Sequence, residues 1–180
     1  MTAQNLFRER GYPATSMRDL AAQIGIEPAS LYSHIDSKEA ILQGICFEIA
    51  DEFFKTIEPV MNANIPADQK LMEAIRNHVK VIKHNSDAFA VFLNDWRYLS
   101  EPSLSEFKRQ RKHYEDMFKD IIGDGMKQGI FKHMNVKFTV LTLFSSLNWI
   151  YLWYKPSGEM TPMEIADNLG ALILNGLKTK

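Results

Sequence analysis

The chain has 180 residues, of which 46% are apolar and 24% charged, with 21 Lys and Arg against 22 Asp and Glu. That length buries a sizeable core without metals or disulfides, and the near-zero charge removes any global electrostatic argument for nucleic acid. The single cysteine, Cys46, excludes an internal disulfide, and the opening Met1-Thr2-Ala3-Gln4-Asn5 has neither the basic nor the apolar region of a secretion signal, so a reducing, cytoplasmic setting is expected.

Helical spacing dominates. No segment alternates apolar and polar residues with β-branched enrichment. Gly and Pro divide the chain into stretches of helical length, predicting an all-α protein of about nine helices near 1–10, 16–24, 28–34, 37–57, 67–84, 87–97, 103–122, 135–154 and 161–178. The first four are expected to be short and to differ in character from the rest, with the boundary inside the fourth. The fourth roots the others in the remainder through Ile41, Leu42, Ile45, Ile49, Phe53 and Phe54, which predicts an N-terminal domain at 1–40 and a larger one at 41–180.

Residues 16–35 have the grammar of a helix-turn-helix. Ser16 is placed to cap a helix whose inner face is Met17, Leu20, Ala21 and Ile24, Gly25 supplies a sharp turn, and Ile26 plugs the corner. Pro28 suits the first turn of a second helix, held inward by Leu31 and Ile35. Its outward face is then Ala29, Ser30 and Ser33, rimmed by Tyr32 and His34, small and hydrogen-bonding side chains that suit a major groove about 12 Å wide. On spacing alone, a helical hairpin with a glycine corner is an equally good reading.

The later helices carry apolar surface rather than catalytic chemistry. Gly123-Asp124-Gly125-Met126-Lys127-Gln128-Gly129 has its third glycine one residue late for a dinucleotide loop and reads as a turn between helices. His78 and His84 are six apart, His113 and His133 are isolated, and no basic cluster activates Cys46, so neither a metal site nor a catalytic group is assigned and no cofactor is called for. Phe138 to Tyr154 is 17 residues without a charge, at the short end of membrane-spanning length. Its Thr139, Thr142, Ser145, Ser146 and Asn148 favour a helix walled in by other helices. Its Trp149 and Trp153 are matched by Phe92 and Trp96 in the sixth helix, so core, ligand cavity and subunit interface all remain open for these aromatics. The ninth helix, with Ile165, Leu169, Leu172 and Ile173, is over-apolar for a terminal element.

The pattern Ala3, Leu6, Phe7, Gly11, Tyr12, Thr15, Ser16, Arg18, Asp19, Leu20, Ala21, Ile24, Gly25, Ile26, Leu31, Tyr32, His34, Ile35, Ser37, Lys38 and Glu39 resembles the DNA-binding domain of the tetracycline-repressor (TetR) family over about residues 3–42. The resemblance implies that Thr15, Ser16, Tyr32, His34 and Lys38 face phosphates and that Arg18, Ala29, Ser30 and Ser33 lie nearest base edges of duplex operator DNA. Glu27 departs from the Ser or Thr common in the family at that position, and residues 1–40 carry a net charge of -1. The family usually has a further, often basic, turn or two before Ala3, so this numbering is expected to start inside the first helix. Farther on, Asn148, Trp149, Trp153, Tyr154, Pro156 and Gly158, then Thr161, Pro162, Glu164, Ile165, Ala166 and Asp167, resemble the acyl-CoA-responsive branch. This implies an apolar effector against Phe92, Trp96, Ser145, Asn148, Trp149 and Trp153, with Arg97 near its phosphates. A homodimer through the last two helices follows, with Ile165, Leu169, Leu172 and Ile173 in the interface. The function implied is a ligand-responsive repressor on a near-palindromic operator, not an enzyme and not a membrane protein. Two other readings remain at this stage, a helical carrier or enzyme whose helix-turn-helix is structural, and a DNA-binding factor without an effector.

Overall fold

The computed structural model describes residues 3–155 and 157–179. The helices are α1 (Ala3–Arg10), α2 (Met17–Ile24), α3 (Pro28–Tyr32), α4 (Lys38–Asn62), α5 (Ala67–His84), α6 (Ser86–Asn94), α7 (Ser103–Lys127), α8 (Val136–Trp153) and α9 (Pro162–Leu177), with a 3-10 turn at Trp96–Tyr98. Among the described residues there is no strand, only an isolated antiparallel bridge between Phe131 and Lys178. The all-α expectation therefore holds. Its start at Met1 and the mark at Pro156 lie outside the described residues.

Two helices run five residues past their expected ends, for physical reasons. Helix α4 continues through Pro59 to Asn62, because Ile57 and Val60 prolong its buried stripe and outweigh one lost backbone hydrogen bond. Helix α7 runs through Gly123 and Gly125 to Lys127, so the glycine-rich stretch is mostly helix and the chain turns at Gly129, at φ +72°. Gly125 is required by packing. A Cβ there would lie 2.2 Å from the Phe131 ring, which is itself 1% exposed.

The chain divides into two compact units, one comprising residues 1–51 and 85–110, the other 52–84 and 111–180. The first is thus more than the N-terminal 40 residues. Residues 85–110 join it through an Arg8–Asp87 ion pair, stacking of Tyr12 on Tyr98 at 5.3 Å, and the Glu39 carboxylate, which accepts from the Ser100 N–H at 2.6 Å and hydroxyl at 3.0 Å. Leu6, Phe7, Leu20, Ala21, Leu31 and Leu42 are buried in its core.

In the second unit α5 packs on both α8 and α9. Helix α9 turns Ile165, Ala166, Gly170, Leu174 and Leu177 inward. Gly170 allows the approach, since a Cβ would come within 2.5 Å of the Met72 sulfur. Ion pairs Arg76–Asp167 at 2.6 Å and Lys178–Asp68 at 2.7 Å rim this contact. Helix α8 buries Thr139, Val140, Leu143, Leu147 and Ile150. Among the described residues no helix is long and apolar enough to cross a membrane.

Candidate nucleic-acid interface and effector-side core

Helix α2 starts on a reciprocal cap. The Asp19 N–H donates to Ser16 Oγ at 3.1 Å, and the Asp19 carboxylate accepts from the Ser16 N–H at 2.8 Å and hydroxyl at 2.5 Å. These bonds, the hydroxyl's first, hold the Asp19 carboxyl below its ordinary pKa. The helix ends at Gly25, in the left-handed region at φ 74°, ψ 29°, where the Gly25 and Ile26 N–H groups donate to Ala22 and Ala21 carbonyls. A Cβ at Gly25 would meet nothing within 4 Å, so the requirement is for backbone conformation and not for space. Extended Glu27 follows and accepts through its carbonyl from the Ser30 and Leu31 N–H groups, with Pro28 opening α3. Leu31 is buried, which turns Ala29, Ser30, Tyr32, Ser33 and His34 to solvent.

Ser16, Arg18 and those five residues occupy the exposed side expected of a groove-reading surface. Thr15 does not. It is 1% exposed and its hydroxyl donates to the Gly11 carbonyl at 2.9 Å, so its side chain fastens the loop before α2 and is withheld from phosphates. Lys38 is half-buried for a related reason: its ammonium donates to the Tyr12 and Thr15 carbonyls, both at 2.8 Å, and lies 4.2 Å from the Tyr12 ring centroid. Its charge is committed to that loop. Ile24, expected inside, is 53% exposed because α2 ends there and the inner stripe stops at Ala21, and Ile26 is 36% exposed beside the corner.

The residues expected around an effector fall in different units. Phe92, Trp96 and Arg97 belong to the first, where Phe92 and Trp96 pack on Phe107 at 5.2 and 6.0 Å and the Arg97 guanidinium already lies 4.8 Å above the Trp96 ring. Ser145, Asn148, Trp149 and Trp153 belong to the second. Trp149, 62% exposed, and Trp153 share an open face of α8 with Phe138, Leu141 and Leu152, because the helix commits its other side to α5. Ser145 lies on that face too, its hydroxyl donating to the Leu141 carbonyl at 2.8 Å. These three therefore do not line the interior of their own unit.

Asn148 does face the interior, where its side chain lies beside the buried His78. His78 Nδ1 lies 3.1 Å from the Tyr114 hydroxyl, and its ring stacks on Phe53 at 4.6 Å and meets the edge of Phe144 at 5.6 Å. Burial lowers the His78 pKa to about 3, with Asn148 opposing it, and burial raises the Tyr114 pKa. The outcome is an uncharged polar group of three side chains inside an aromatic box. Sequence reasoning missed it as a unit. A signal was available, since His78 falls on the buried spacing of Leu71, Ile75, Val79 and Ile82, and Tyr114 on that of Phe107, Phe118 and Ile121.

Of the residues assigned to a subunit interface, Ile165 is 4% exposed and packs within its own unit, because the buried side of α9 begins there. Leu169 and Ile173 are half-buried, whereas Leu172 is 74% exposed, with Met163 also open on α9. Among the described residues no group of three His, Cys, Asp or Glu is placed to hold a metal ion, and Cys46 is buried.

Residues 2–45 match the bacterial regulatory proteins of the tetR family, and residues 64–177 match the tetracyclin repressor-like C-terminal domain. The chain is 25% identical over 177 residues, 97% of its length and 88% of the relative's, to the HTH-type transcriptional repressor KstR2 of Mycobacterium tuberculosis (strain ATCC 25618 / H37Rv). Among solved structures it resembles the TetR family transcriptional regulator PfmR from Thermus thermophilus, with TM-score 0.88 and 30% identity over 98% of this chain and 97% of that one. It also resembles AibR in complex with isovaleryl coenzyme A and operator DNA, with TM-score 0.85 and 25% identity over 95% and 93%. With the capped α2, the left-handed glycine corner and the exposed α3 in place, and with both parts of the chain matched, the protein belongs to the tetR family of bacterial regulatory proteins.

Proposed function

We propose that the chain is a cytoplasmic, ligand-responsive transcriptional repressor that binds a near-palindromic operator as a homodimer and leaves it on binding an apolar effector of the acyl-CoA class. The observation that carries this reading is the surface of α3, which the Gly25 corner and buried Leu31 turn outward with the small side chains a groove-reading helix needs. The repressor sense is supported by relatives such as KstR2, and the effector class by AibR, whose structure holds isovaleryl coenzyme A together with operator DNA.

A homodimer is supported by α8 and α9, which leave Phe138, Leu141, Trp149, Leu152, Trp153, Met163 and Leu172 exposed. A twofold pair of these chains presents two copies of α3, which accounts for a near-palindromic site with half-sites about one duplex turn apart. The effector site we place in the second unit at Asn148, His78 and Tyr114. Their neutral donors and acceptors suit the carbonyl of a thioester, and Phe53, Phe118 and Phe144 suit its acyl chain. Release requires that the effector bind the arrangement unfit for DNA more tightly than the fit one, since equal affinity shifts nothing.

The test is a mobility-shift titration on DNA fragments flanking the gene, with acyl-CoAs of increasing chain length as effectors. Sequence-selective retardation, reversed by one range of chain lengths, is the expected result. Binding that non-specific competitor DNA removes would overturn the regulator reading. Retardation that no acyl-CoA reverses, but that a free fatty acid or an aromatic compound does, would overturn the effector class alone.

A further inference from the structure

We infer that Glu27 is a specificity-determining residue that reads a cytosine in each operator half-site through the exocyclic amino group of the base. The inference rests on the operator-binding reading above. Between Ile24 and His34, across the corner and the recognition helix, Glu27 is the sole charged residue. It is exposed, makes no capping hydrogen bond to α3, and no side chain among the described residues holds its carboxylate in an ion pair or hydrogen bond. Its backbone carbonyl starts α3, but its carboxylate serves no visible purpose in the fold.

On DNA that carboxylate enters a dense field of phosphates, about one negative charge per 1.7 Å of duplex axis, which disfavours it unless a specific contact offsets the repulsion. A carboxylate only accepts hydrogen bonds. In the major groove the donors are the amino groups of cytosine and adenine, and adenine places its N7 acceptor beside the amino group, where it repels a second acceptor. Cytosine has no such neighbour on its own ring. Two of the nearest exposed neighbours do not compete for this contact: Ala29 has no polar side-chain atom, and the Ser33 hydroxyl already donates to the Ser30 carbonyl at 2.7 Å. Ile26, exposed on the same corner, adds an apolar neighbour suited to a thymine methyl.

The experiment selects binding sites from a random duplex library with the wild-type protein, Glu27→Gln and Glu27→Ala, and then measures affinity for the wild-type site with one base pair changed at a time. Thermal melting of each variant confirms the fold. We expect wild-type sites to carry a cytosine in each half-site whose change to thymine weakens binding about tenfold to a hundredfold. Glu27→Gln should move the preference at that position to adenine, whose amino group and N7 match the amide. Glu27→Ala should erase the preference there, leave other positions unchanged and bind non-specific DNA more tightly. A Glu27→Ala protein that keeps the wild-type preference at every position overturns the inference and leaves the operator reading standing. A wild-type protein that selects no site overturns both.

Discussion

The open side of α3 carries Ala29, Ser30, Tyr32, Ser33 and His34, whereas the open side of α8 carries Phe138, Leu141, Trp149, Leu152 and Trp153. Both surfaces face solvent in the isolated chain, and their chemistry separates the partners they suit. Short polar groups lose little when water covers them and can trade that water for base edges and phosphates. Large apolar groups gain only by leaving water, which a second protein surface provides and a phosphate backbone does not. The same contrast divides the resident side chains. In the first unit Thr15 and Lys38 commit their polar groups to the loop before α2, and in the second His78 Nδ1 and the Tyr114 hydroxyl pair with each other.

The largest effect should come from charging the apolar surface. In sedimentation at micromolar concentration we expect the wild-type protein to be a dimer and Leu172→Arg to be a folded monomer, the interface weakened by about 3 to 5 kcal/mol through an unpaired buried charge. Ile165→Arg is the control that separates surface from core. Ile165 is 4% exposed, so its replacement should unfold the second unit and not merely split the dimer. A wild-type monomer would end the argument from α8 and α9.

That control also marks where the sequence was legible. Each feature of the helix-turn-helix depends on a residue with one local job: the Ser16–Asp19 cap, the left-handed Gly25, Pro28 at the head of α3. Local jobs leave local signatures, and residues 16–35 were read almost as they stand. The bonds of Thr15 and Lys38 were not legible because nothing in a linear pattern tells a polar side chain reaching for DNA from one reaching for a carbonyl 4 or 23 residues away. In the second unit the helical period identified apolar positions, but Leu172 and Ile165 are interchangeable in composition and differ only in which side of α9 meets α5. The grouping of His78 with Tyr114 and Asn148 joins three helices, information a single helix does not contain.

The buried histidine gives the second unit a pH dependence. In the unfolded chain His78 takes up a proton near pH 6.5, whereas in the folded unit burial delays this to about 3. Between those values the unfolded state holds the extra proton. This contribution to stability is full above about pH 6.5 and declines by about 1.4 kcal/mol per unit as pH falls below it. Urea denaturation at pH 7, 6 and 5 should show that slope in the wild type and lose it in His78→Leu. An unchanged slope in the variant would mean that other groups set it. Tyr114→Phe should cost about 1 to 3 kcal/mol at neutral pH by leaving His78 Nδ1 without the hydroxyl.

Within the first unit, Lys38 and Tyr32 distinguish building the reading surface from belonging to it. Lys38→Met removes a charged donor from two carbonyls and should destabilise the fold by about 1.5 to 3 kcal/mol. Tyr32 is 55% exposed, so Tyr32→Ala should weaken DNA binding to all sequences while the melting temperature stays close to wild type. The reverse pairing, a stable Lys38→Met that loses DNA and an unstable Tyr32→Ala, would show that the ammonium leaves its carbonyls in the complex.

The smallest effect uses one device found in both units. Ser16 with Asp19 at α2 and Thr161 with Glu164 at α9 form the same reciprocal cap, each hydroxyl accepting from the backbone N–H three residues on and each carboxylate accepting in return. Loss of either hydroxyl to alanine should cost about 1 kcal/mol, because each leaves the same kind of backbone donor exposed at a helix end and solvent partly replaces the bond. In stability, then, Ser16→Ala and Thr161→Ala should look alike by thermal melting. In binding they should part. Ser16 sets the start of the helix that carries Arg18 and ends at the Gly25 corner, so a frayed first turn shifts the surface that meets the groove and should weaken operator binding severalfold. Thr161 starts a helix whose contacts lie on α5, and its loss should leave operator affinity within twofold of wild type at concentrations well above dimer dissociation. Equal losses of affinity would mean that the second unit governs the reading surface even without an effector.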